Sequence, residues 1–251
     1  MLNTVEMGEG SVPLVIVHGL FGSARNWRVL QKRLAETRRV ITVDLRNHGD
    51  SFWNDDNSYE ALAEDLAEVI AAHGGVADVL GHSMGGKAAM VLALIRPDMV
   101  RRMIVADIAP VAYGHTQAKH IAAMKAVDMR VVTRRSEAEK QLAGTVPDAP
   151  LRAFFLQSVA LEEHGARWKL NLEALGADMP KIMGFPDVGS TFGGPVLMLH
   201  GAESDYVQPD MQPEIFRLFP AAEFAEIEGA GHWLHAEKPR EFQAAVEAFL
   251  A

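Results

Sequence analysis

The chain has 251 residues, 49% of them hydrophobic and 23% charged, with a formal net charge of −9. That length supports one large domain with a sizeable core, and the acidic balance argues against nucleic acid or an anionic membrane as partner. The absence of cysteine excludes a disulfide framework, a thiolate nucleophile and a cysteine zinc site.

The first residues, MLNTVEMGEGSVP, lack the basic-then-apolar pattern of a secretory leader. The longest apolar stretch, Ala88 to Ile95, is too short to span a bilayer. A soluble, cytoplasmic protein is the expectation.

In chain order, short apolar runs alternate with helical patterns. Val12–Val17 (VPLVIV) reads as a buried strand, followed by a helical segment at Arg25–Glu36 with Ser23 as cap. Val40–Val43 (VITV) is the next strand. Ser58–Ala72 carries Leu62, Leu66, Val69 and Ile70 at helical spacing, with Ser58 as cap. Val76–Leu80 (VADVL) and Met103–Ala106 (MIVA) are further strands, with a helix at Met84–Arg96 that Pro97 stops. Val196–Leu199 (VLML) is a buried strand, and the alternating Glu223–Ile227 (EFAEI) a half-exposed edge strand. Pro239–Leu250 is a final helix with proline in its first turn. Strand–helix alternation of this kind predicts an α/β fold, a mostly parallel central sheet with helices on both faces.

The alternation breaks over residues 108–193. This stretch is rich in helix formers and in Lys and Arg, and it reads as a helical insertion without a strand pair. The expected organisation is a core of residues 1–107 and 194–251 with a helical cap, or lid, at 108–193. Lids and binding loops collect beyond strand ends.

The stretch ADVLGHSMGGKAAM, residues 77–90, places one serine among Gly81, Gly85 and Gly86 where a buried strand gives way to a helix. Glycines at such a junction point to a turn too tight for side chains. G-H-S-M-G fits the G-x-S-x-G pattern of a serine raised on a strained strand-to-helix turn, and Ser83 is the candidate nucleophile. Its base must be a histidine on a loop at the same sheet edge. His232, in the glycine-rich GAGHWLH after the last strand, fits best among ten histidines; His235, His82 and His18 are less well placed. No histidine set has metal-ligand spacing, so no metal is expected.

An oxyanion hole needs two backbone donors: Met84 N–H, next to the nucleophile, and one from His18-Gly-Leu20-Phe21-Gly after the first strand. Leu20 is assigned, with Phe21 as fallback. Phe21, His82 and Trp233 are candidates for the substrate pocket. Two residues compete for the acid. Asp107 directly follows MIVA, and Asp205 follows the later strand in HGAESDYV; both keep the chain order Ser, Asp, His.

Together, VHGLFGSARNW, VDLRNHGDS, GHSMGGKAAM, ADIAPV and GAGHWLHAEKP make the chain resemble the α/β-hydrolase superfamily, and within it the short-acyl esterase and thioesterase branch. The resemblance implies Ser83 as nucleophile and His232 as base, favours Asp107 as acid, and implies no cofactor. Asp44, Arg46, Asn47 and His48 would brace the loop beside the site. One departure stands out: many relatives carry the acid three residues after the glycine of the later strand, which here is Ser204, with Asp205 one step out of register. The expected activity is hydrolysis of a small-molecule carboxylic ester or thioester by a Ser-Asp-His triad. A cofactor-free perhydrolase, a carbon–carbon bond hydrolase or a non-catalytic binding protein on the same fold are the alternatives. Oligomeric state and acyl length are not legible in these residues.

Overall fold

The computed structural model describes all 251 residues. Its elements in chain order begin with β1 (Asn3–Met7), β2 (Leu14–Val17), a 3-10 turn at Ala24–Trp27, α1 (Arg28–Leu34), β3 (Val40–Asp44) and α2 (Tyr59–Ala72). Next come β4 (Ala77–His82), α3 (Met84–Ile95) and β5 (Val100–Ala106). The inserted stretch holds α4 (Ala118–Lys125), α5 (Arg135–Leu142), α6 (Ala149–Leu156), β6 (Val159–Leu161), β7 (Ala166–Trp168), α7 (Leu172–Ala177) and α8 (Met179–Met183). The chain then returns with β8 (Val196–Gly201), α9 (Gln212–Leu218), β9 (Ala222–Ile227), α10 (Leu234–Glu237) and α11 (Pro239–Leu250).

Seven strands form one sheet in the order β1-β3-β2-β4-β5-β8-β9. All neighbours pair in parallel except β1, which runs antiparallel to β3 along the edge. The central strands are continuous apolar runs because helices cover both faces. Along β2 the side chains alternate: Val15 and Val17 join the core under α2 and α3, while Leu14 and Ile16 pack with Trp27, Leu34 and Phe242 on the α1 and α11 side. Ser58 caps α2, its hydroxyl accepting from Ala61 N–H at 3.4 Å. No helix is long and apolar enough to cross a membrane.

Two elements depart from the sequence reading. β1 carries a polar, half-exposed pattern, with Thr4 and Glu6 between Asn3, Val5 and Met7; an edge strand exposed on one side needs no apolar run. The insertion does contain a strand pair, the antiparallel hairpin β6–β7, three residues on each side. Strands this short leave no periodicity to read. Gly165, at φ +90, closes the turn, and Trp168 anchors it by donating Nε1–H to Met124 carbonyl at 2.9 Å.

The insertion shares the hydrophobic cluster of the sheet domain and is tied to it further by buried polar bonds. Tyr59 hydroxyl donates to Ile182 carbonyl at 2.6 Å, and Asp178 carboxylate accepts from Asn57 N–H at 2.7 Å. Lys87, on α3 and 1% exposed, donates its ammonium to the carbonyls of Val111, Met183 and Gly184 at 2.8, 3.1 and 2.5 Å. One side chain thus ties both ends of the insertion to the helix that starts at Ser83.

Candidate active site

At the end of β4, Ser83 adopts φ 53 and ψ −122, a conformation that L side chains rarely take. The glycines around it explain how the turn fits. A Cβ on Gly81 would lie 2.3 Å from Gly85 carbonyl oxygen, and one on Gly85 would lie 2.4 Å from His18 carbonyl oxygen. A Cβ on Gly86 would meet Ile108 Cγ2 at 2.6 Å. Any side chain at these positions would push α3 away from the sheet, so Ser83 stands above the strand ends with its backbone N–H bonded to Ala106 carbonyl at 3.0 Å.

Asp107 ends the neighbouring strand β5 and is likewise at positive φ, 53, and fully buried. Its Oδ1 accepts from Gly201 N–H at 3.1 Å; its Oδ2 accepts from Ser204 hydroxyl at 2.5 Å and from His232 Nδ1 at 2.7 Å. His232, on the loop after β9, turns its Nε2 to Ser83 Oγ at 3.1 Å. The network assigns the tautomer: Nδ1 carries the proton given to Asp107, and Nε2 is free to accept from the serine hydroxyl. The imidazole also lies on the Tyr206 ring, centroids 4.0 Å apart at 23°, and its own carbonyl accepts from His82 Nε2 at 2.8 Å.

The other acid candidate is not brought here. Asp205 is exposed and makes no hydrogen bond to His232, whose Nδ1 is bonded to Asp107. The position one step earlier, Ser204, faces the site instead and donates to Asp107. The sequence signal for it was the register departure itself: the residue at the expected acid position is a hydroxyl that reaches the carboxylate on the adjacent strand.

The loop after β2 approaches the serine so closely that a Cβ on Gly19 would meet Ser83 Cβ and His82 Nδ1, each at 3.1 Å. Two buried neutral histidines hold it. His18 donates Nδ1–H to Gly19 carbonyl at 2.8 Å and accepts from Leu45 N–H at Nε2, 3.0 Å. His48 pairs its Nδ1–H with Arg46 carbonyl at 2.9 Å and accepts from Phe21 N–H at 3.2 Å. Burial, then the proximity of His18, pushes His48 down to about 3, which keeps it neutral and an acceptor. Phe21 N–H, the fallback oxyanion donor, is engaged by His48. Leu20 N–H has no protein acceptor, and Met84 N–H opens α3, where the first amides have no intrahelical partner.

The bracing expected of VDLRNHGDS has a concrete form. Asp44 carboxylate accepts from Ala24 N–H, Asn3 Nδ2–H and Asp50 N–H at 2.7, 2.8 and 2.9 Å. Arg46 forks onto Asp65 at 2.6 and 2.9 Å.

A cavity of about 860 Å³ opens over Ser83 between the sheet edge and the insertion. Leu20, Phe21, His82, Met84, Phe154 and Trp233 are among its walls, so the three residues expected in the substrate pocket all reach it. The sequence reading passed over two residues, Lys87 and Tyr206. Lys87 did leave a signal, a lone charge in the apolar helix MGGKAAMVLALI. Tyr206 left none, since its stacking on His232 depends on how two loops meet.

A serine on a strained turn, bonded through an imidazole to a buried carboxylate above a parallel sheet, is the arrangement of a nucleophilic hydrolase. Comparison with known proteins agrees. Residues 14–245 match the model of the alpha/beta hydrolase family. The sn-1-specific diacylglycerol lipase of Mus musculus is 47% identical, over 97% of this chain and 83% of its own length. Esterase YbfF of Escherichia coli strain K12 is 34% identical, over 98% and 96%. A solved structure of a marine microorganism esterase superposes with a TM-score of 0.94 at 39% identity, covering 99% of this chain and 98% of that one. The chain belongs to the alpha/beta hydrolase family.

Proposed function

We propose that the protein hydrolyses carboxylic esters, or thioesters, through an acyl-enzyme formed on Ser83. One observation carries this reading: a single imidazole, His232, is bonded on one side to Ser83 Oγ at 3.1 Å and on the other to the buried Asp107 carboxylate at 2.7 Å. The names of the esterase and lipase relatives support it.

In the first half-reaction Ser83 Oγ attacks the acyl carbonyl carbon while His232 Nε2 takes its proton. The carbonyl oxygen becomes an oxyanion held by the N–H groups of Leu20 and Met84. Collapse of the tetrahedral intermediate breaks the bond to the leaving alcohol or thiol, which receives the proton from His232. Water then attacks the acyl-serine with His232 again as base, releasing the carboxylic acid and restoring Ser83. Asp107 holds the tautomer and stabilises the imidazolium, and Ser204 and Gly201 N–H keep that carboxylate aimed. Residues 108–193 act as a lid over the cavity, because they cover the strand ends that carry the triad.

Ser83→Ala is expected to reduce ester turnover on the order of 10⁴-fold, since triad members act as a unit. A fluorophosphonate probe is expected to label Ser83, read by mass spectrometry of the labelled peptide. Labelling of a different serine with Ser83 unmodified would overturn the assignment.

A further inference from the structure

Beside the catalytic cavity lies a second cleft of about 520 Å³, between the β1 edge, the turn at Ala24–Trp27 and the β6–β7 hairpin. Arg25 and Gln157 line both spaces. Where the two spaces share these residues, Asn26 Nδ2 donates to Gln157 Oε1 at 2.8 Å, crossing from the sheet domain to the insertion.

The charges in this cleft differ from those elsewhere on the insertion. There, the cations are largely neutralised in pairs: Lys125 with Glu173, Arg130 with Asp128, Arg134 with Glu137, Arg167 with Glu162 and Lys181 with Asp178. In the cleft, Lys169 is paired with Asp50, and Asp44 is occupied by three N–H donors. Arg25, Arg28 and Arg135 have no carboxylate partner. Arg135 is nevertheless fixed, donating to Leu156 and Val159 carbonyls at 3.2 and 2.8 Å, which orders its guanidinium without neutralising it. The cleft thus gathers four cations, Arg25, Arg28, Arg135 and Lys169, against the two carboxylates Asp44 and Asp50, a local excess of positive charge in a chain whose net charge is −9. Such a local inversion of sign concentrates a multiply charged anion, and the guanidinium fork matches phosphate oxygens.

We propose that this cleft binds the phosphate of a phosphorylated leaving group, so that the enzyme accepts acyl esters or thioesters whose alcohol or thiol carries phosphate. This inference rests on the ester-hydrolase reading above. The acyl carbonyl sits at Ser83, the leaving group passes the Asn26–Gln157 bridge, and its phosphate meets Arg25, Arg28 and Arg135. The phosphate is recognised and not cleaved; the only bond broken is that between the acyl carbon and the leaving oxygen or sulfur.

The test compares butyryl-CoA, 1-butyryl-glycerol 3-phosphate and neutral p-nitrophenyl butyrate on the wild type, on Arg28→Gln and on Arg28→Gln/Arg135→Gln. Both substituted residues lie outside the catalytic cavity. Arg28 is exposed and its side chain makes no hydrogen bond, so its replacement leaves the fold intact. The expected result is a KM for phosphorylated substrate raised about threefold in the single variant and about tenfold in the double, with kcat and the neutral-ester KM within about twofold. A rise for butyryl-CoA alone identifies a nucleotide phosphate as the ligand, and a rise for both phosphorylated substrates a single phosphomonoester. No rise, or an equal rise for the neutral ester, overturns the proposal.

Binding of inorganic pyrophosphate and adenosine 3′,5′-bisphosphate to the Ser83→Ala protein, followed by calorimetry, separates the two readings. If the wild type cleaves none of the three esters, the hydrolase reading fails. Anion binding weakened by Arg28→Gln would still support the cleft, and absence of binding would remove it.

Discussion

The sheet core and the insertion share one hydrophobic cluster but differ in what fixes their local geometry. In the core, fully buried apolar strands meet α3 so closely that Gly81, Gly85 and Gly86 have no room for a Cβ. The insertion shares the core's hydrophobic cluster through residues such as Met124, Phe155 and Leu175, most of its ion pairs are exposed, and buried bonds from Tyr59, Lys87 and Asp178 add to its attachment. The difference teaches where precision is needed. The proposed triad would tolerate little displacement, and its turns are built from steric exclusion, whereas a cover over a cavity is seated well enough by apolar packing and a few polar bonds.

The largest effect that would sharpen this comparison is at the proposed triad acid. Asp107→Asn is expected to reduce kcat on the order of 10⁴-fold by favouring the wrong His232 tautomer. Asp205→Asn, at an exposed side chain, is expected to leave it within about twofold. Steady-state kinetics on both proteins, with circular dichroism to verify folding, checks the pair, and the reverse ranking would move the acid to Asp205.

Next in size is Gly85→Ala. Its methyl would overlap His18 carbonyl, and the expected destabilisation is about 3 kcal/mol or more, with activity falling in parallel because α3 must shift away from Ser83. Urea unfolding followed by tryptophan fluorescence measures it.

Lys87→Met breaks the insertion's attachment instead. Three carbonyls lose their donor, an expected loss of about 2–3 kcal/mol. Burial pushes the Lys87 ammonium down to about 7 from the ordinary 10.5. Below about pH 7 both folded and unfolded chains bind its proton. Between about 7 and 10.5 only the unfolded chain does, so this residue's contribution rises with pH across that window. Urea midpoints at pH 7 and pH 9 should therefore separate wild type from Lys87→Met more widely at pH 9; an unchanged separation would contradict the lowered pKa.

The smallest expected effect is at an exposed pair. Arg167→Gln removes the bond to Glu162, both about half exposed, and should change stability by less than about 0.5 kcal/mol. A loss above about 1.5 kcal/mol would mean that the insertion depends on its surface charges after all.

Much of this was legible in the residues. Apolar runs mark five of the seven sheet strands, because parallel strands are buried on both faces, and an alternating pattern marks the edge strand β9. β1 was not legible, since its half-exposed residues obey no apolar rule, and neither was the β6–β7 hairpin, too short for any period. At the site, Ser83 announced itself through neighbouring glycines, and His232 through a glycine-rich loop after the last strand. That Phe21 N–H bonds His48 is not legible in the residues, since it depends on how two loops meet.

Local sequence determined what depends on local sterics: the turn at Ser83, the helix caps and the buried strands, since each follows from side-chain size and polarity within a few residues. Only the tertiary structure decided what depends on which strand ends become neighbours. Placing β5 between β4 and β8 sets Asp107 beside His232 and lets Ser204 reach it from the next strand, while Asp205 points to solvent. The same packing brings Arg25, Arg28 and Arg135 to one cleft, although more than a hundred positions separate the first from the last. Chain spacing alone carries no record of such meetings, because they arise from sheet order and from how the insertion folds back.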